Sequence, residues 1–155
     1  MPAVFGVDLA KRIFQIHTVD VHSGEIRRWT LSRSRLTEFF GDMAPAIIAM
    51  EACGSSHHWA RRFSAMGHDV RMIATKFVRP FVKTNKTDAA DAAAIWEAAQ
   101  RPGMRFVPVK TEHQQGILAI LFFSLAGLRT SAREHSCFWR GPAPTFDSGA
   151  GSRYL

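Results

Sequence analysis

The order of the predicted elements most constrains how this chain can fold. Three strand-like runs come first, then helix and strand alternate twice, and a last helix follows. The first run is apolar apart from Asp8, the second alternates apolar and polar residues as a half-exposed strand does, and a turn at Gly24 leads to the third. Helical spacing and continuous apolar runs then alternate. The predicted strands span residues 4–10, 14–21, 26–31, 46–51 and 69–74, and the predicted helices span residues 34–43, 55–66 and 86–100.

This element order, βββαβαβα, predicts an α/β fold of the RNase H-like type. A three-stranded meander followed by two helix–strand units is shared by few other small folds. We expect a mixed five-stranded sheet flanked by helices. In this topology the first strand lies at the centre of the sheet, next to the fourth.

Four acidic residues fall at positions that this fold would bring together. Asp8 and Glu51 end the first and fourth strands, and Asp88 and Asp91 lie three apart on the last helix. Each acid alone has an ordinary structural role as a turn residue, a first-turn helix acid or a helix cap. Burying a carboxylate among apolar residues costs free energy unless the carboxylate is paired or binds metal. Together they predict a site for two Mg²⁺ (or Mn²⁺) ions with phosphoryl-transfer chemistry.

The net charge of +7, with histidines neutral, and an isoelectric point near 10.3 indicate a polyanionic partner. The connector after the fifth strand interleaves four cations with Phe77 and Phe81, a spacing that suits a nucleic-acid backbone. It also suits a solvated loop whose phenylalanines enter the core. The residues predicted to bind nucleic acid are Lys11, Lys76, Arg79, Lys83 and Lys86.

Compartment signals are few. Cys53 and Cys137 make no disulfide framework, no charged leader precedes the first apolar run, and no apolar run approaches the roughly 20 residues of a membrane span. We therefore expect a cytoplasmic protein without a membrane partner.

Two other kinds of site are disfavoured near Cys53. His57 and His58 are adjacent on a predicted helix and point in different directions, which fits no standard zinc site. Ser55 and Ser56 lack the frame of a hydrolase nucleophile. Capping of the second helix explains the serines better.

The chain divides into a domain of residues 1–120 and an atypical tail of residues 121–155. A helix begins near Lys110, but the last 20 or so residues are rich in Gly, Ser, Pro and Arg without periodicity. We expect the tail to be poorly ordered.

Three ordered sequence blocks carry a resemblance to a known family. They are Gly6–Lys11, Met50–Gly54 with His57–Ala60, and Phe81–Lys83 continuing through Asn85–Ala92. These blocks resemble the amino-terminal domain of the DEDD-type insertion-sequence transposases. That family also contains the Piv-type invertases, and its first domain is similar to the Holliday-junction resolvase RuvC. The likeness covers about residues 4–120.

The resemblance implies that Asp8, Glu51, Asp88 and Asp91 form a metal-binding tetrad in a DNA recombinase. It further implies a structured guide RNA, a homo-oligomer (dimer or tetramer) and a second domain that supplies a serine nucleophile. After Gln114-Gln115 this sequence departs from the family pattern, as a truncated or frameshifted copy, or a copy cut to a single domain, would.

The predicted function is therefore that of a transposase domain acting on DNA, without full transposition by this polypeptide alone. Two alternatives remain open. One is an inactive remnant that only binds nucleic acid. The other is a standalone, RuvC-like, metal-dependent nuclease.

Overall fold

The computed structural model describes residues 2–10, 12–82 and 88–126, without the side chains of residues 88, 123, 125 and 126. The strands are β1 Val4–Leu9, β2 Ile13–Val19, β3 Ile26–Ser32, β4 Ile47–Glu51, β5 Asp69–Ile73 and β6 Phe106–Val107. The helices are α1 Arg33–Gly41, α2 Ser56–Ala65, α3 Thr75–Val78, α4 Asp88–Ala99 and α5 Glu112–Ala126, with a 3₁₀ turn at Arg79–Phe81. The α/β class is confirmed.

One mixed sheet with strand order β3-β2-β1-β4-β5-β6 organises the described chain. β1, β2 and β3 form the antiparallel meander, and β1, β4 and β5 run parallel. The predicted position of β1 next to β4 is confirmed. The predicted count of five strands is wrong, because β6 pairs antiparallel with β5. A two-residue strand has too little periodicity to be recognised from sequence.

Aromatic side chains fill the space between the sheet and helices α1 and α2. Phe40 of α1 lies 4.9 Å from Phe63 of α2 between ring centres, and Trp59 of α2 lies 5.3 Å from Phe14 of β2. All four side chains are at most 3% exposed. Burying a side chain of this size stabilises a fold by about 1.5–3 kcal/mol. This face of the sheet therefore carries the larger core.

Small side chains cover the other face of the sheet, where α4 packs. The buried residues of α4 are Ala92, Ala94, Ile95, Ala98 and Ala99. Because four of these five side chains are those of alanine, the helix backbone lies close to β1. A Cβ atom built on Gly6 would overlap the carbonyl oxygen of Ala92 and lie 2.6 Å from the backbone nitrogen of Trp96. Glycine at this position allows the contact between α4 and β1.

The connector after β5 is more ordered than the sequence predicts. It forms α3 and then the 3₁₀ turn, and Phe77 and Phe81 pack against the cluster that joins α4 to the sheet. Four-residue helices show no hydrophobic period that could be detected in advance. The two phenylalanines therefore act as core residues, as one of the two interpretations of the connector holds. Residues 83–87 lie outside the described part.

Helix α5 continues through Ala126, six residues beyond the predicted domain boundary. Its exposed apolar side chains are Ile117, Leu118, Ile120, Leu121 and Phe122. In the described ranges, no helix combines the length and the hydropathy needed to cross a membrane. Of the tail that we expected to be poorly ordered, residues 121–155, the first six lie in α5 and the others lie outside the description.

Candidate metal centre and its surroundings

Asp8 lies on the face of the sheet that α4 covers. Successive side chains of a strand point to opposite faces. Phe5 and Val7 belong to the core under α1 and α2, whereas Gly6 contacts α4. Asp8 follows Gly6 by two residues, so it shares the α4 face at the carboxyl end of β1.

Glu51 occupies the corresponding position on β4. Ala49 packs with α4, so Glu51 two residues later also lies on the α4 face. β1 and β4 pair in parallel with Val7 opposite Met50, and one further step in this register places Asp8 opposite Glu51. Neighbouring strands lie about 4.8 Å apart. The two acids are therefore neighbours at one edge of the sheet, as the sequence predicts.

Helix α4 brings a third acid toward this edge. Ala92 contacts Gly6, so Asp91 immediately precedes the point at which α4 crosses β1. Asp88 begins α4, and its side chain lies outside the described part. Among the described residues, no three His, Cys, Asp or Glu side chains are grouped so that they could hold a metal ion. The four-carboxylate site thus stays a prediction.

Thr75 orients the Glu51 carboxylate. Its hydroxyl donates a hydrogen bond of 2.5 Å to Oε1 of Glu51 across a partly buried contact. Thr75 is the first residue of α3, directly beyond the end of β5, which pairs with β4. Sequence analysis missed this residue. A usable signal is a hydroxyl residue directly after one strand when the neighbouring strand ends in an acid.

Polar residues continue across the sheet on both sides of the two acids. Gln15 of β2 lies opposite Asp8, and Oε1 of Gln15 accepts a 2.9 Å hydrogen bond from Thr30 of β3. Carboxylate, amide and hydroxyl oxygens are hard donors of the kind that Mg²⁺ and Mn²⁺ prefer. The chemistry of these side chains fits such an ion.

His17 lies beneath α4 on the same face of the sheet as the acids, one side-chain position further from the strand ends. It is opposite Gly6, is 4% exposed, and its ring centre lies 5.7 Å from that of Trp96. Among the described residues, Nδ1 of His17 and Nε1 of Trp96 are buried without a hydrogen-bond partner. Burial, and then the charge of Arg28, lowers the pKa of His17. The prediction of a half-exposed second strand is wrong here because α4 covers its second face.

The basic residues predicted to bind nucleic acid are only partly described. Lys76 and Arg79 are exposed, and Nζ of Lys76 lies 4.9 Å from the ring centre of Phe77. Both extend from α3 and the 3₁₀ turn, which follow the end of β5. Lys11, Lys83 and Lys86 lie outside the described residues. Their role stays a prediction.

Structural contacts account for the serines that begin α2. The Ser56 hydroxyl donates to the carbonyl oxygen of Cys53 at 2.8 Å and accepts from the Cys53 N–H at 3.0 Å. Ser55 occupies the N-cap position without a side-chain capping bond. The expected capping by these side chains is therefore wrong, and Ser56 instead fixes the turn between β4 and α2.

Arg61 joins α2 to the start of α5. Its Nη1 donates to the carbonyl oxygen of Lys110 at 2.6 Å and to Oε1 of Gln115 at 2.7 Å. His57 completes the junction, because its Nδ1 accepts a 3.1 Å hydrogen bond from the Lys110 N–H. The acceptor role requires a neutral His57. Burial, and then Lys110 and Arg61, lowers its pKa.

We expect the protein to lose stability as the pH falls below about 6.5. The pKa values of His17, His57 and His58 are all lowered, with burial as the largest cause. Below the unfolded pKa the unfolded chain binds protons that the folded chain does not, so stability falls with pH until the folded pKa is passed. His17 and His57, which are buried, each contribute up to about 1.4 kcal/mol per pH unit within that window, whereas solvent screens the contribution of the exposed His58. Urea unfolding at pH 7.5 and pH 5.5 measures the difference.

His57→Asn tests the assignment at one position, because the Asn oxygen can replace Nδ1 as acceptor without titrating. This variant should lose less stability on acidification than the unmodified protein. His22→Asn, in the exposed turn between β2 and β3, is the matched control. An unchanged pH dependence in His57→Asn would contradict the assignment.

The fold and the site define an α/β protein that presents two acids on adjacent ends of parallel strands beneath a small-residue helix. No protein-family model matches the chain. Curated proteins do match it. It is 53% identical over 112 residues to a probable family 20 transposase of Pseudomonas aeruginosa, covering 72% of this chain and 33% of that protein.

Two further relatives carry similar names. The transposase for insertion sequence element IS1328 of Yersinia enterocolitica is 47% identical over 122 residues, covering 77% of this chain and 36% of that protein. The transposase for element IS1111A of Coxiella burnetii is 40% identical over 118 residues, covering 76% and 32%. The chain is thus related in sequence to insertion-sequence transposases and spans about a third of their length.

Proposed function

We propose that this chain is the metal-binding domain of an insertion-sequence transposase of the DEDD type and acts on DNA in the cytoplasm. Its fold would be RNase H-like and RuvC-type, and its ligands for Mg²⁺ or Mn²⁺ would be Asp8, Glu51, Asp88 and Asp91. The observation that carries the proposal is the parallel register of β1 and β4, which has Val7 opposite Met50 and so brings the next residues, Asp8 and Glu51, to the same end of the sheet. The names of the relatives support the DNA-directed role.

The protein's own residues would prepare the site for an anionic backbone. Asp8 and Glu51 would hold the ion, and Thr75 would keep the Glu51 carboxylate in one orientation. When bound, the metal ion supplies charge stabilisation to a reacting phosphodiester. Exposed cations at Lys76 and Arg79 would attract the DNA backbone toward the same sheet edge.

Further features of the proposal come from the resemblance alone. A structured guide RNA would direct the protein to its DNA target, and the working form would be a homo-oligomer. The relatives are about three times as long as the matched segment. Joining of DNA strands is therefore proposed for the whole transposase rather than for these residues.

We expect Mg²⁺ or Mn²⁺ to raise the thermal stability of the protein. Neighbouring carboxylates repel one another without a cation, and a ligand that binds only the folded state stabilises it by mass action. At ten times the dissociation constant the gain is about 1.4 kcal/mol, which corresponds to roughly 3–6 °C for a protein of this size. A thermal melt with and without metal measures it.

Asp8→Asn should abolish most of this gain. Asp69→Asn is the matched control, because it makes the same chemical change at the opposite end of the parallel strands, where Asp69 pairs with Ile47. Equal metal-induced shifts in the two variants would remove Asp8 from the proposed site.

A second candidate function is nucleic-acid binding without metal chemistry. The observations that favour it are the net charge of +7 and the exposed cations Lys76 and Arg79. The two candidates differ in one respect. Only the first candidate predicts that divalent metal changes the thermal stability of the protein or leads to cleavage of DNA.

A further inference from the structure

A cleft between α1 and α2 opens on the face of the sheet opposite α4. Its volume is about 420 Å³. The residues that line it are Arg33, Ser34, Thr37, Glu38, His58, Trp59 and Arg62. Asp8 and Glu51 lie on the other face, so the cleft is a surface separate from the proposed metal site.

Two arginines are held over one buried aromatic ring in this cleft. The guanidinium carbons of Arg33 and Arg62 lie 6.0 Å and 5.7 Å from the ring centre of Trp59. Arg33 also lies 5.8 Å from the ring centre of Phe14. Cation–π contacts of this kind fix the direction of a side chain and leave its charge unneutralised. The packing therefore brings two guanidinium groups to one aromatic ring.

The positive charge of the cleft exceeds its negative charge. Among the described residues, the arginines in ion pairs are Arg27, Arg61, Arg71 and Arg101. Arg33 and Arg62 are not among them, and Glu38 is the only acid in the lining given above. The pKa of His58 is lowered by burial first, and then by Arg62, Arg61 and Arg33. The charge of these arginines thus acts on the interior of the cleft.

We propose that this cleft binds the phosphodiester backbone of a nucleic-acid duplex. Guanidinium groups match phosphate oxygens with paired hydrogen bonds, and the hydroxyls of Ser34 and Thr37 can donate to the same oxygens. Single-strand binding uses exposed rings on which bases stack. Trp59 is only 3% exposed beneath the arginines. The cleft is therefore suited to a duplex backbone, whose bases remain paired.

The test is binding of the full chain to a fluorescent DNA duplex in EDTA across a series of salt concentrations. EDTA removes divalent metal, so the result does not depend on the proposed metal site. Each phosphate contact contributes about 0.9 to the slope of log affinity against log salt. Arg33→Gln/Arg62→Gln should reduce that slope by up to about 1.8 and weaken binding roughly 10- to 60-fold at 0.1 M salt.

Arg27→Gln/Arg101→Gln is the matched control, since it removes the same charge from exposed arginines that already pair with Glu25 and Glu97. Arg33→Lys/Arg62→Lys keeps the charge and the aliphatic cover over Trp59, so it should retain most of the salt slope of the unmodified chain. This variant keeps the test valid where the glutamine variant folds poorly. A single strand of the same sequence should show a smaller loss. Equal losses in the cleft and control variants, or an equal loss for single strand and duplex, would overturn the proposal.

Discussion

Gly6→Ala is expected to destabilise the protein by about 3 kcal/mol or more, at the upper end of overpacking substitutions. The added Cβ would overlap the backbone of α4 at Ala92 and Trp96, and a backbone cannot move aside as a flexible side-chain end can. The helix would have to shift away from β1 and carry Asp91 with it. A loss of about 3 kcal/mol in stability corresponds to a melting temperature lower by roughly 6–12 °C. Thermal or urea unfolding measures the loss.

Gly41→Ala is the matched control for this substitution. Gly41 ends α1, and a Cβ there would meet nothing within 4 Å. Alanine at a compatible site is neutral or stabilising by up to about 1 kcal/mol. A Gly6→Ala protein as stable as Gly41→Ala would show that α4 can move away from β1 at little cost.

Asp8→Asn is expected to lower Mg²⁺-dependent DNA cleavage about 100-fold or more. A metal ion contributes several kcal/mol to a phosphoryl-transfer transition state, and each 1.36 kcal/mol changes the rate tenfold. Asparagine keeps the shape of the side chain but loses the charge that would hold the proposed ion. Cleavage of linear and branched DNA duplexes, with Mg²⁺ and with EDTA, measures the effect.

Asp69→Asn should cleave as the unmodified chain does, because its side chain lies at the other end of the parallel strands. Mg²⁺-dependent cleavage that persists in Asp8→Asn would place the chemistry elsewhere. Salt-sensitive DNA binding without any cleavage by the unmodified chain would instead support the second candidate function, binding without metal chemistry.

The element order and the placement of two acids could be predicted from the sequence. Continuous apolar runs and helical spacing identify the elements locally, and few topologies accommodate a meander followed by helix–strand units. That topology places β1 beside β4, so residues at their carboxyl ends become neighbours. Asp8 and Glu51 were predicted in this way, and the strand register agrees.

Short elements and burial on two faces could not be predicted. β6 and α3 contain two and four residues, too few for a period, and they form because neighbouring strands and helices hold them. In the sequence pattern, His17 is one polar residue of an alternating strand and is expected to be exposed. It is buried because α4, far away in the sequence, covers that face.

The sequence by itself determined the order of elements, the positive charge and the positions of the acids, because each depends on residues close together in the chain. The tertiary structure alone decided the hydrogen bond from Thr75 to Glu51, the tight contact at Gly6, and the two arginines over Trp59. Each of these contacts joins different elements. Their distances depend on how helices settle on the sheet, and side-chain packing throughout the domain fixes that arrangement.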